Sequence, residues 1–236
     1  MEHIYGVNPV IAALKAKKRE FKKLYVKTGQ QKERLAEACA LAYKMGLKVA
    51  EVDPQKLDGL ANTTHHQSIV LECGLLPTLV IEDLIKRTPK LIIALDQIKD
   101  PQNVGAIIRS AAFLGADAII HLDRNAAPLG STVSKTSAGA METFPIAQVQ
   151  NLDKTLKILK KQGYFVYGAS TEKALPYKKA TLQDKLVLVM GNEGKGLRPL
   201  TAKGCDQMVY IPGRHGVESL NVSAAAAILL AHFGFA

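Results

Sequence analysis

Short apolar runs and longer stretches of helical period take turns along this chain. In its first third, Asn8 followed by Pro9 supplies an N-cap and a first-turn proline, which predicts a helix to about Lys18. The run over 21–28 reads as a strand, and the period over 31–45 reads as a helix stopped by Gly46. A strand over 48–52, a short helix from Pro54 and a strand over 67–73 complete an α/β unit of small-domain size. Pro77 and Pro89 bracket a stretch of mixed charge, which divides the chain into a domain over 1–76, a linker over 77–89 and a second domain over 90–236.

Beyond the linker, the run over 91–95 has no polar position, as suits a strand buried on both faces of a parallel sheet. It leads into Asp96 and then Asp100-Pro101, a cap and first-turn proline for a helix whose apolar stripe is Val104, Ile107, Ile108, Ala111 and Leu114, with Gly115 as its stop. Further strands read over 118–122, 164–169, 186–190 and 208–211, and a last helix over 220–233. Strands alternating with helices at this spacing predict an α/β fold with a mostly parallel sheet.

Charge narrows the partner. The 236 residues carry 31 Lys and Arg against 21 Asp and Glu, a net charge of +10, which favours a polyanion because each neutralised phosphate releases counterions. Lys15, Lys17, Lys18, Arg19, Lys22, Lys23 and Lys27 cluster in sequence; they read either as a solvated face or as a track for an RNA backbone. Cys39, Cys73 and Cys205 are odd in number and lack C-x-x-C spacing, so neither a metal site nor a disulfide framework is expected. The first residues lack the basic and apolar regions of a signal peptide, and the apolar tract 222–236 is too short for a bilayer, so a cytosolic protein without a membrane partner is expected.

Three stretches place polar groups or glycines beside an apolar strand or helix: Asp100-Pro-Gln-Asn-Val-Gly-Ala-Ile-Ile-Arg109, Met190-Gly-Asn-Glu-Gly-Lys-Gly196, and Ile211-Pro-Gly-Arg-His-Gly-Val-Glu-Ser-Leu-Asn-Val-Ser223. Arg109 lies off the apolar arc of its helix, so it is either a solvated arginine or a group aimed at a cleft. The glycines after 186–190 are either a plain turn or a place where backbone approaches a flat ligand, and Glu193 stands among them. They match neither the dinucleotide fingerprint nor the Walker pattern. Ser219 and Asn221 read as N-caps or as site residues at a helix start.

In order and wording these stretches resemble the three motifs of the SpoU (TrmH) branch of the SPOUT RNA methyltransferases. The resemblance implies a C-terminal α/β domain whose chain end is tucked into a trefoil knot, with S-adenosylmethionine bent within it against backbone groups. Gly191, Ile211 and Leu220 match the cofactor-contacting positions, with Met190 and Gly194 flanking them, while Asn103, Arg109, Glu193, Ser219 and Asn221 match the catalytic set. The segment from Ile4-Tyr-Gly-Val-Asn-Pro-Val to His65-His-Gln-Ser-Ile-Val is similar to the L30e-like substrate-binding extension of the subgroup that methylates a guanosine ribose in large-subunit ribosomal RNA; Ser68 departs from that pattern, where glycine is expected. His65 and His66 read as ordinary loop residues.

The resemblance further implies a homodimer that binds RNA, and Lys135 and Arg214 are expected as additional phosphate contacts. A charged guanidinium is an awkward base, so Arg109 is expected to clamp the phosphate beside the reacting hydroxyl, framed by Asn103, Glu193 and Asn221, with a deprotonated Arg109 acting as the base as the alternative. The rival readings are a transfer-RNA ribose methyltransferase, which the N-terminal extension disfavours, and an assembly factor that binds ribosomal RNA without turnover, which the complete catalytic set disfavours.

Overall fold

The computed structural model describes residues 1–29, 33–171, 174–214 and 219–234. In chain order its elements are β1 (Glu2–Tyr5), α1 (Val7–Ala16), β2 (Phe21–Lys27), α2 (Glu33–Lys44), β3 (Lys48–Val52), α3 (Pro54–Ala61), β4 (Ile69–Cys73), α4 (Ile81–Lys86), β5 (Leu91–Leu95), α5 (Pro101–Phe113) and β6 (Ala118–Leu122). Then follow α6 (Ser131–Thr136), α7 (Ala140–Thr143), β7 (Ile146–Val149), α8 (Leu152–Lys161), β8 (Phe165–Ala169), β9 (Leu175–Pro176), β10 (Leu186–Met190), α9 (Pro199–Gly204), β11 (Gln207–Tyr210) and α10 (Val222–Phe233). Contacts divide the chain into two compact units, 1–77 with 129–143 and 78–128 with 144–236. The expected linker carries α4, whose Ile81 and Leu84 are buried in the core of the second unit.

The first unit is built on a four-stranded sheet in the order β1-β4-β2-β3, with β4 antiparallel to both neighbours and β3 parallel to β2. One face packs Ile4, Leu24, Val26 and Leu71 against Val10 and Leu14 of α1 and Leu35 of α2. The other packs Tyr5 and Val70 under Leu57 and Ala61 of α3, a helix capped by Asp53, which accepts from the Lys56 N–H at 2.8 Å. Sequence patterning missed β1, a short strand recognisable only through its pairing with β4. The N-cap of α1 is Gly6, and Asn8 lies inside the first turn. The expected helix start at Gln31 lies outside the described residues. The strand expected from Gln67 begins at Ile69 because Gln67 and Ser68 turn the chain with φ of 55° and 67°, the latter a conformation that suits the glycine expected there.

Arg19 corrects the sequence reading. Instead of facing RNA, its side chain is wholly buried and ion-paired to Glu2 and Glu142. Its Nε donates to Glu142 Oε2 at 2.6 Å, one terminal nitrogen to Glu142 Oε1 at 3.0 Å, and the other to the Gly74 carbonyl at 2.9 Å. Ser134 Oγ donates to the same Glu142 carboxylate at 2.7 Å. Burial alone would depress the guanidinium pKa, but the hydrogen bond and charge of Glu142 and the charge of Glu2 outweigh it and raise it.

The second unit is a seven-stranded, all-parallel sheet in the order β7-β6-β5-β10-β8-β11-β9. Its central strands are buried along their whole length, as their unbroken apolar runs require. Alternate residues such as Ile92, Ala94, Val187 and Val189 meet Leu84 of α4 and Leu152, Leu156 and Leu159 of α8. The last helix, α10, lies close against α5: a Cβ on Gly234 would stand 1.9 Å from the Leu114 carbonyl oxygen, so only glycine permits that approach. Strand order reverses beside β5, which has its successor β6 on one side and β10 on the other, so the loops leaving β5 and β10 diverge from a crevice at their C-terminal ends.

Two measurements test this packing. His121 in β6 is 1% exposed, and burial holds its imidazole pKa down to about 4 from an ordinary 6.5. Between those values the unfolded chain takes up a proton that the folded chain refuses, so stability should be full above pH 6.5 and decline as pH falls; at pH 5 the His121 contribution should have cost about 2 kcal/mol. Urea titrations at pH 7 and pH 5 should show His121→Leu losing less over that interval than the parent, and equal losses would refute the assignment. In the first unit, Glu142→Ala strands the buried Arg19 charge and should lower unfolding free energy by about 3–5 kcal/mol, read from the urea midpoint.

Candidate active site

Three loops of the second unit meet at the C-terminal edge of the sheet. Asp100 caps α5 by accepting from the Gln102 N–H at 2.8 Å, with Pro101 in the first turn, and this sets Asn103 one turn inside the helix with its side chain buried. The Asn103 amide donates to Asp100 Oδ2 at 3.1 Å and to Glu193 Oε1. From the start of α10, the Asn221 amide donates to Asn103 Oδ1 and to Glu193 Oε1, each at 3.0 Å. Its carbonyl oxygen meanwhile accepts from the Ser223 N–H at 2.8 Å and from Ser223 Oγ at 2.6 Å. The two readings of Asn221 therefore both hold, since its oxygen caps the helix while its nitrogen joins the site.

The glycine turn after β10 is braced at its base. Asn192 and Gly196 exchange two backbone hydrogen bonds, at 3.0 and 2.8 Å, and Asn192 Nδ2 donates to the Gln97 carbonyl at 3.0 Å. Gly191 is buried, and a Cβ there would stand 2.4 Å from the Gly196 carbonyl carbon, so its absence lets the turn close. Asp96, fully buried, accepts from the Arg198 backbone N–H at 3.0 Å and from Arg198 Nε at 2.6 Å. Sequence reasoning did not single out this pair. An acid directly after a wholly apolar strand was a signal for Asp96, whereas nothing local marked Arg198, 102 positions away.

Asn103, Glu193 and Asn221 are thus brought together, but Arg109 is not. Six residues along α5 from Asn103, it stands about 9 Å farther up the axis and about 120° around it. It is exposed, and it makes no hydrogen bond or ion pair among the described residues. Ser219 is also exposed, ahead of the Asn221 cap, and outside the frame's hydrogen bonds among the described residues.

The positions expected to hold a cofactor form a neutral set. Met190 and Gly191 are buried at the end of β10, Gly194 is exposed in the turn, Ile211 is half-buried just past β11, and Leu220 is 48% exposed beside Asn221. Backbone amides and aliphatic side chains without a charge suit a flat, uncharged ring rather than a phosphate chain, so these residues fit the adenine of the group that the motifs imply. Among the described residues no three His, Cys, Asp or Glu side chains are grouped as a metal ion would require. Burial pushes the Cys73 and Cys205 thiols up to about 12, which keeps them protonated. Among the described residues no helix is long and apolar enough to cross a membrane.

Several of the basic residues expected to meet RNA are engaged within the first unit. Lys15 pairs with Glu37 at 2.7 Å, Lys18 donates to the Thr143 carbonyl at 2.8 Å, and Lys22 pairs with Glu72 at 2.9 Å. Lys23 lies over the Tyr25 ring at 5.1 Å. Lys135 donates to Gln67 Oε1 at 2.6 Å and is partly buried, which lowers its pKa. Arg214 is exposed in the loop after β11, whose continuation through His215 and Gly216 lies outside the described residues.

Comparison with known proteins adds independent support. Residues 3–78 match the RNA 2'-O ribose methyltransferase substrate binding domain, and residues 90–231 match the SpoU rRNA Methylase family. The 23S rRNA (guanosine-2'-O-)-methyltransferase RlmB of Vibrio vulnificus is 36% identical, covering 97% of this chain and 94% of that protein. The AdoMet-bound rRNA methyltransferase from Sinorhizobium meliloti superposes with a TM-score of 0.82 at 24% identity over 97% of this chain and 85% of that one, and so shares its fold. The A. aeolicus TrmH/SpoU tRNA modifying enzyme covers only 64% of this chain and 81% of its own, with a TM-score of 0.54 at 26% identity. The second match takes in the whole Asn103, Glu193 and Asn221 frame, and on that agreement of sequence with geometry the chain belongs to the SpoU rRNA methylase family.

Proposed function

We propose that this protein transfers a methyl group from S-adenosylmethionine to the ribose 2'-hydroxyl of a guanosine in 23S ribosomal RNA. The observation that carries this reading is the closed hydrogen-bond frame of Asn103, Glu193 and Asn221 at the switch point of the sheet, in a chain aligned nearly end to end with RlmB proteins. The substrate-binding match over residues 3–78, all but the last of which lie in the first unit, supports ribosomal over transfer RNA, since the tRNA-modifying relative spans far less of this chain. A complete polar frame supports turnover over passive RNA binding.

When bound, S-adenosylmethionine supplies an electrophilic methyl group on a sulfonium. Met190, Gly191, Gly194, Ile211 and Leu220 would hold it. The side chains around it then have two tasks, orientation and charge. Glu193 Oε1 is held by two amides, and this leaves its carboxylate fixed at the mouth of the turn. Arg109, exposed and unpartnered among the described residues, is free to fork onto the phosphate next to the reacting ribose and aim its hydroxyl. Orientation of this kind can contribute about 7–11 kcal/mol toward the barrier.

Because Arg109 points away from the frame of its own chain, the complete site is proposed to form in a homodimer, with Arg109 serving the frame of the second copy. Phe113, one turn beyond Arg109 and 83% exposed, supports that face as the contact. Action on ribosomal RNA supports a cytoplasmic location.

Incubation with methyl-labelled S-adenosylmethionine and unmodified 23S or transfer RNA, followed by mapping of 2'-O-methyl groups, should place label on one guanosine of 23S RNA. Label confined to transfer RNA would sink the substrate assignment. Arg109→Ala should lower turnover at least 100-fold without shifting the thermal midpoint, and mixing it with Glu193→Ala should restore part of the activity through mixed dimers; no recovery would argue against a shared site. Gly191→Ala should weaken S-adenosylmethionine binding at least tenfold by calorimetry, because its Cβ would force the turn open.

A further inference from the structure

One face of the first unit's sheet carries a polar row that the site described above leaves unexplained. In register across β1, β4, β2 and β3 stand His3, Glu72, Lys23 and Lys48. The irregularity between Phe21 and Lys23 lets Lys22 reach the same row. Glu72 is already engaged, accepting from Lys22 at 2.9 Å and from the Tyr25 hydroxyl at 3.0 Å. Lys23 and Lys48 are therefore neighbours across adjacent strands with no carboxylate of their own among the described residues. Like charges placed opposite each other destabilise a sheet unless an anion lies between them.

Beside this pair the Tyr25 ring is partly buried: it packs against the cluster of Tyr5, Leu57, Ala61 and Val70, and the Lys23 ammonium lies over it at 5.1 Å, a cover the lysine leaves when it turns to a phosphate. Lys22, Lys23, Tyr25, Lys48 and Glu72 line an open basin of about 850 Å³. An aromatic ring next to two lysines that make no ion pair among the described residues matches a nucleotide of single-stranded RNA, whose base stacks while its phosphate is neutralised.

We infer that this sheet face is a second RNA site, at which Tyr25 stacks an unpaired base and Lys23 with Lys48 hold an adjoining phosphate. The inference rests on the reading of the protein as an RNA methyltransferase and adds to it a contact on the substrate-binding unit.

The test is binding of a fluorescein-labelled single-stranded RNA ten-mer to the full-length protein, without S-adenosylmethionine, read by anisotropy across a salt series. Tyr25→Ala should weaken binding at least tenfold and Tyr25→Phe should bind as the parent does. The double change Lys23→Ala/Lys48→Ala should flatten the log–log salt slope by about 0.7, the value for one single-strand phosphate contact. A 4-thiouridine-bearing ten-mer should crosslink within Phe21–Lys27 or Lys48–Val52. Unchanged affinity in Tyr25→Ala, an unchanged salt slope in the lysine variant, or displacement of the RNA by an equal concentration of oligoglutamate would each overturn the inference, the last in favour of an acidic protein partner. Since this assay involves no methyl transfer, a parent protein that binds here but labels no RNA would sink the enzymatic reading alone.

Discussion

Pairing of Leu95 with Met190, at the ends of two adjacent parallel strands, is the constraint on which the site depends. A backbone hydrogen bond of 2.8 Å from Asp96 to Met190 extends that pairing into the loops, and the buried Asp96 carboxylate then seizes Arg198 at the far side of the glycine turn. With both ends of the turn tied down, Glu193 is presented to the first turn of α5, where the Asp100 cap has already set Asn103. The third member arrives with α10, which lies against α5 because glycine leaves room for backbone against backbone. Position is thus transmitted from strand register to reactive group through short, directional contacts, each with little freedom to relax.

The positive charge of the chain is not one undivided RNA surface. Arg19 is consumed internally, where two carboxylates and a carbonyl satisfy a fork that would be costly to bury otherwise. Lys15 and Lys22 have acidic neighbours that reduce what they offer to a polyanion. Exposed cations without an ion pair among the described residues include Arg109 in the second unit and Lys17, Lys27 and Lys48 in the first. Net charge therefore indicates the class of partner, whereas pairing decides which cations can meet it.

Element types were legible because they follow from local rules. The unbroken runs over 91–95 and 186–190 are strands buried on both faces, and the Asp-Pro pairs at Asp53 and Asp100 begin helices as their capping chemistry requires. The polar residues of the frame were legible too, since Asn103, Glu193 and Asn221 stand where strand ends or helix starts leave groups unsatisfied. Less legible were β1, which has too few residues for a periodic signal, and the start of α1, where Gly6 turns the chain ahead of Asn8.

By itself the sequence determined which segments become strands and helices, where they are capped and which polar side chains stand at their ends, because those outcomes depend on neighbours a few positions away. Only the tertiary structure decided that Arg19 is internal, that Asp96 meets Arg198 and that Lys23 stands beside Lys48. Each of those outcomes depends on strand order, register or helix packing that joins distant positions, and hydrophobic period carries no record of which distant segment a side chain will face.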